Sequence, residues 1–107
     1  MIKNIRHIGI PVVNVIDSMN FYMQFGFKTD LATVENWGGG DLIIAKLAAP
    51  GIDTQIELVE GDWPHHFAVQ VPMNFSAESF KIWKRKQNVT FIEDPSGNLI
   101  ELVKGEA

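Results

Sequence analysis

The stretch His7-Ile8-Gly9-Ile10-Pro11-Val12 decides how this sequence is read, because it returns 59 residues later as His66-Phe67-Ala68-Val69-Gln70-Val71. The shared pattern is His, apolar, small, β-branched, any residue, Val. The same spacing sets Asp17 on Ser76, Ser18 on Ala77 and Phe21 on Phe80, so the segment after the strand repeats as well. A second pair of segments, Ile56-Glu57-Leu58-Val59-Glu60-Gly61 and Ile100-Glu101-Leu102-Val103-Lys104-Gly105, recurs at a spacing of 44. Short apolar strands resemble one another by chance, but here a His-strand precedes a Glu-strand twice in the same order. Internal repetition of this kind settles the architecture before local propensity does. The 107 residues are therefore read as one domain, 1–107, built of module one (1–61) and module two (62–107).

Working outward, Ile5 to Val12 is a strand rich in β-branched residues. Asn14, with Asp17 three residues on, marks a helix start, and Val15, Ile16, Met19, Tyr22 and Met23 share one helical face. Gly26 ends that helix. Phe27 to Val34 and Asp41 to Leu47 are strands around the Asn36-to-Gly40 turn, and Gln55 to Glu60 is the fourth strand. Module two is expected to open with a strand from His65 to Val71. A helix from Ser76 to about Gln87 should come next, ending on Lys84, Arg85 and Lys86 as the helix dipole favours. A hairpin, Val89 to Glu93 and Leu99 to Val103, turns at Asp94-Pro95-Ser96-Gly97-Asn98. On this reading module two, with 35 residues between its His and its Glu against 50 in module one, lacks about one strand.

Composition narrows the chemistry. The chain has no cysteine, so disulfides, thiolate metal sites and thiol nucleophiles are excluded. Net charge is −4, which argues against a nucleic-acid partner, since such binding needs a basic face. No apolar run approaches the roughly 18 residues of a membrane span, and the first residues do not read as a signal peptide. The expectation is a cytoplasmic domain with a small-molecule partner and no membrane association. Glycines 38 to 40 are not a phosphate loop, because no Lys-Ser/Thr helix start comes after them.

Alternate residues of a strand share a face. His7 then lies with Gly9 and Pro11, Glu57 with Gln55 and Val59, His66 with Ala68 and Gln70, and Glu101 with Leu99 and Val103. A polar group on an apolar strand face needs a partner, since burying it unpaired costs roughly 1–3 kcal/mol. Each of the four alone has an ordinary reading, as a core histidine bonded to backbone or a solvated strand glutamate. Their equivalent places in a repeated unit favour a common partner, one divalent cation. Two neutral imidazoles and two carboxylates balance its charge and suit Ni, Zn, Mn, Co or Fe(II). Four ligands leave positions open for substrate, as a catalytic site requires. His65 is expected to point outward. Arg6 should face away from the site if His7 faces it, which would leave few cations there. Trp37 and Trp63, near strand ends, are read as capping the core rather than stacking on a flat ligand, and Trp83 is read the same way.

The segments HIGIPVVNVIDSMNFYMQFGFK, HFAVQV and DPSGNLIEL together resemble the vicinal oxygen chelate superfamily, which covers glyoxalase I, bleomycin-resistance proteins, fosfomycin-resistance enzymes, methylmalonyl-CoA epimerase and extradiol dioxygenases. The resemblance spans essentially the whole chain. It implies an α+β fold of paired βαβββ modules, here with the second shortened, whose open cupped mixed sheet holds a metal on its concave face. His7, Glu57, His66 and Glu101 match the four ligand positions, and the His-Glu-His-Glu set is similar to that of bacterial glyoxalase I. The epimerase has Gln where Glu57 stands. The resemblance implies a glyoxalase-like lyase or isomerase in which the metal chelates two adjacent oxygens and Glu57 or Glu101 is the catalytic base. Its alternative is a metal-free protein that sequesters a drug, as bleomycin-resistance proteins do. Relatives of this kind commonly dimerise, and an exposed sheet edge left by a missing strand would suit a homodimer.

Overall fold

The computed structural model describes residue 2 and residues 4–105. Among them are one helix, α1 (Val15–Met23), and eight strands: β1 (Asn4–Val12), β2 (Lys28–Asn36), β3 (Asp41–Ala49), β4 (Ile52–Glu60), β5 (His66–Val71), β6 (Lys81–Lys86), β7 (Val89–Glu93) and β8 (Leu99–Lys104). All eight form one mixed sheet in the order β2-β3-β4-β1-β5-β8-β7-β6. The order is its own mirror about the β1–β5 seam. On one side β1 runs parallel to β4, and on the other β5 runs parallel to β8, while β1 and β5 meet antiparallel. The duplication read from the sequence is thus the topology of the sheet.

Module one keeps the expected β-α-β-β-β order. The Asn14 side chain accepts a hydrogen bond from the Asp17 amide at 2.9 Å and caps the helix, and Gly26 lies just beyond its end with φ 96°. A second tie comes from Glu60, whose carboxylate accepts the Val15 amide at 2.8 Å. Val15, Met19 and Tyr22 pack on Ala45, Leu47 and Leu58, which cover the convex face of β3 and β4. Two residues assigned to that face, Ile16 and Met23, are instead exposed.

Module two departs from expectation. Residues 81–86, expected within a helix, are the strand β6, paired antiparallel with β7. The missing element is therefore the helix, not a strand. Residues 13–27 join β1 to β2, whereas only residues 72–80 join β5 to β6, too few for a helix plus its two connections. The strands are also shorter, five or six residues against nine. A strap of turns takes the helix's place. It lays Ala77 and Phe75 on Val69, Val71, Ile92 and Leu102. Asn88 holds the turn between β6 and β7 with φ 61°, a left-handed conformation that Asn tolerates and that a helix running to Gln87 would not predict. With no strand missing, the sheet-edge argument for a homodimer falls away.

The 94–98 turn forms as expected: Asp94 Oδ1 accepts the amides of Ser96 and Asn98, each at 2.8 Å. These bonds, with the Asn98 side chain foremost, hold the Asp94 carboxyl below its ordinary pKa. Among the described residues no helix is long and apolar enough to cross a membrane.

Candidate metal centre

Strand pairing explains how four distant residues meet. Glu57 on β4 stands opposite Gly9 on β1, which stands opposite His66 on β5. One step along, His7 on β1 stands opposite Ala68 on β5, which stands opposite Glu101 on β8. Four consecutive central strands each contribute one side chain to the concave face, and the small residues Gly9 and Ala68 separate them. Gly9 has a steric reason to be glycine: a Cβ there would collide with Cε1 of His66. The imidazole occupies the space that a side chain would fill.

The four side chains converge, with one ligand atom from each lying within 4.8 Å of all the others. His7 Nε2 is 3.2 Å from Glu101 Oε1 and 3.5 Å from Glu57 Oε1. His66 Nε2 is 3.1 Å and 3.4 Å from the same two oxygens. The four residues are 3–9% exposed, so water satisfies little of this polarity. His66 Nδ1 lies 3.1 Å from the Pro64 carbonyl, which holds the ring so that Nε2 faces the cluster. That Nε2 atom is buried and makes no well-formed hydrogen bond. Burial pulls the His66 pKa down, but the carboxylates of Glu101 and Glu57 outweigh it and lift it to about 9. For Glu101, burial pushes the pKa up, and the two imidazoles overcome this and bring it to about 2. These are buried charges that neutralise one another, and a divalent cation would take the place of the proton on His66. The donor set and the orphaned nitrogen fit such an ion.

A cavity of about 210 Å³ opens beside the cluster. One wall is aromatic. Phe91, fully buried, lies with its ring centroid 5.2 Å from that of His66, and Trp37, Trp63 and Trp83 all meet it edge-on within 5.7 Å. Trp37 and Trp63 do pack on Leu42, Ile44 and Val59 as expected, yet both also line the cavity. Trp83 reaches the same wall from β6. The Lys86 ammonium lies 4.9 Å from the Trp37 ring centroid and donates to the Asn36 carbonyl at 3.1 Å, so the two outermost strands touch and the sheet curls into a cup.

Two sequence expectations about charge meet different outcomes. His65 is exposed, as expected. Arg6 is not turned away: it lines the cavity together with His7. The pairing of β1 with β5 slips between Ile5 and His7, so Arg6 is the extra residue of a β-bulge, and strict alternation fails there. With Lys46 and Lys86 it makes three cations around a site expected to have few.

No family model and no curated protein matches the sequence. Solved structures do match. Methylmalonyl-CoA epimerase from Mycobacterium tuberculosis superposes with a TM-score of 0.79 at 20% identity, over 99% of this chain and 90% of that one. A variant of the Streptomyces coelicolor methylmalonyl-CoA epimerase in complex with 2-nitronate-propionyl-CoA gives 0.71 at 20% identity, over the whole of both chains. A glyoxalase/bleomycin resistance protein/dioxygenase superfamily member from Vibrio splendidus 12B01 gives 0.60 at 14% identity, over 95% of this chain and 100% of that one.

Proposed function

We propose, on the vicinal oxygen chelate fold that these superpositions establish, that the chain is a metal-dependent enzyme, a glyoxalase-like lyase or isomerase acting on a small substrate with two adjacent oxygens. The observation that carries this reading is the convergence of His7, Glu57, His66 and Glu101, two residues from each module, on one buried point. Ni, Zn, Mn, Co or Fe(II) would be held by these four. Once bound, the ion would polarise the substrate's two oxygens and stabilise negative charge developing on them.

The remaining work falls to the protein. Glu101 Oε1 lies between both imidazoles, 3.2 Å from His7 Nε2 and 3.1 Å from His66 Nε2, which suits a permanent ligand. Glu57 is the better proton carrier. Its Oε1 faces the imidazoles, while its Oε2 lies 3.9 Å from the Lys46 ammonium at the cavity wall. A base placed there takes a proton from the carbon beside the chelated oxygens and returns it to the neighbouring carbon. The aromatic wall excludes water from that exchange.

The competing reading is a metal-free protein that sequesters a small molecule. It is favoured by the fact that the imidazoles and carboxylates can neutralise one another. Metal analysis of protein purified without tag or chelator separates the two. The enzyme reading expects about one equivalent of transition metal and a higher melting temperature on adding Ni, Zn, Mn, Co or Fe(II) to stripped protein. Glu57→Gln should abolish turnover. No metal and no stabilisation would sink the enzyme reading.

A further inference from the structure

The metal reading does not explain why three cations line the cup. Lys86 is occupied by the Asn36 carbonyl and the Trp37 ring, and Lys46 faces Glu57. Arg6 makes no hydrogen bond or ion pair among the described residues. Two carboxylates, Asp30 and Asp53, share the outer cleft with Arg6 and Lys46, but neither pairs with the guanidinium, and Asp30 is taken by the Gln55 amide at 2.7 Å. An unpaired guanidinium beside a buried histidine ligand position is there only because β1 bulges. Regular alternation would have turned it to the convex face.

Charge balance points the same way. Within the cavity Arg6, Lys46 and Lys86 offset Glu35, Glu57 and Glu101. With neutral imidazoles this inner lining sums to zero, and a divalent ion would leave it doubly positive, with Asp30 and Asp53 carrying negative charge further out in the cleft. A positive inner wall attracts anions to the end of the cup nearest the four side chains.

Resting on the metal reading above, we propose that Arg6, supported by Lys46, is a specificity-determining residue that holds a carboxylate of the substrate close to its chelating oxygens. The aromatic wall takes the other, apolar end. The substrate class is then a small carboxylate-bearing molecule with two adjacent oxygens and a flat or apolar body.

Two hydroxamates test this on Mn-loaded protein, since both chelate through adjacent oxygens and only one carries a carboxylate. They are succinic monohydroxamic acid and butyrohydroxamic acid, with binding read from the fluorescence of the cavity tryptophans. The wild type should prefer the carboxylate probe by about tenfold or more, the scale of one charge-assisted contact. Arg6→Met should erase that preference while retaining the metal, and Arg6→Lys should keep part of it. Equal binding of the two probes by the wild type, failure of both with metal in place, or a preference that survives Arg6→Met would each overturn the inference. So would loss of metal in Arg6→Met, which would make Arg6 a support of the ligand set. Absence of metal from the wild type would instead overturn the reading beneath it.

Discussion

The two modules present the same pair of strands to the site and different material everywhere else. In module one, β1 and β4 are backed by a capped helix and flanked by strands of nine residues. In module two, β5 and β8 are backed by turns and flanked by strands of five and six. Yet Gly9 faces Glu57 in one module at the register where Ala68 faces Glu101 in the other. The site depends on the register of four central strands, and their backing is free to change. A helix and a strap differ in one physical respect: the helix is internally hydrogen-bonded and keeps its shape, whereas a strap of turns can settle into a gap.

That difference is open to direct test. Leu58 and Leu102 occupy equivalent places, each next to a cluster glutamate, under the helix and under the strap respectively. Leu58→Ala should cost about 2–5 kcal/mol, the usual range for a buried leucine. Leu102→Ala should cost less, because the strap collapses into the void. Denaturant unfolding of both variants measures the gap, and equal losses would break the contrast between the two backings.

Next in size is the pair of small residues inside the site. Gly9→Ala forces a Cβ into the His66 ring and should destabilise by about 1–3 kcal/mol, with weakened metal binding. Its counterpart Ala68→Gly removes a methyl that already fits, and costs about 1 kcal/mol from backbone freedom. Thermal melts and metal titrations of the two should therefore diverge. If they behave alike, the steric role of Gly9 is wrong.

The smallest effect belongs to the module-two turn. The folded-state pKa of Asp94 is lowered, so its contribution to stability is present above the ordinary carboxylate pKa and fades as pH falls through the lowered value. Asp94→Asn should thus melt below the wild type at neutral pH, and the two curves should approach each other as the solution is made acid. A gap that stays constant with pH would assign the difference to something other than ionisation.

Much of this was legible in the sequence because repetition and alternation are written residue by residue. His7, Glu57, His66 and Glu101 stood out as polar side chains on apolar strand faces at matched places in a repeat, and the sheet brings them to one face with Gly9 and Ala68 between them. What the sequence hid has two causes. β6 reads Lys-Ile-Trp-Lys-Arg-Lys, and an edge strand protected by charge carries little period-two signal, so its basic run resembles a helix end. The available cue was Asn88, a residue suited to a tight turn. Arg6 was hidden differently. A bulge shifts alternation by one without any residue type that announces it, so its orientation became visible only from pairing with β5.

The seam between β1 and β5 carries a consequence for how the protein comes into being. Each half of the molecule holds one imidazole and one carboxylate, and the contact between His7 and Glu101 spans 94 residues of chain. A growing polypeptide that has made all of module one owns half of the candidate ligand set and no way to complete it. The four side chains meet only when β5 has been laid beside β1 and β8 beside β5, long-range pairings that wait for the end of the chain and are slow to find. Acquiring the ion would then mark the end of folding, a signal that both halves have arrived and closed on each other.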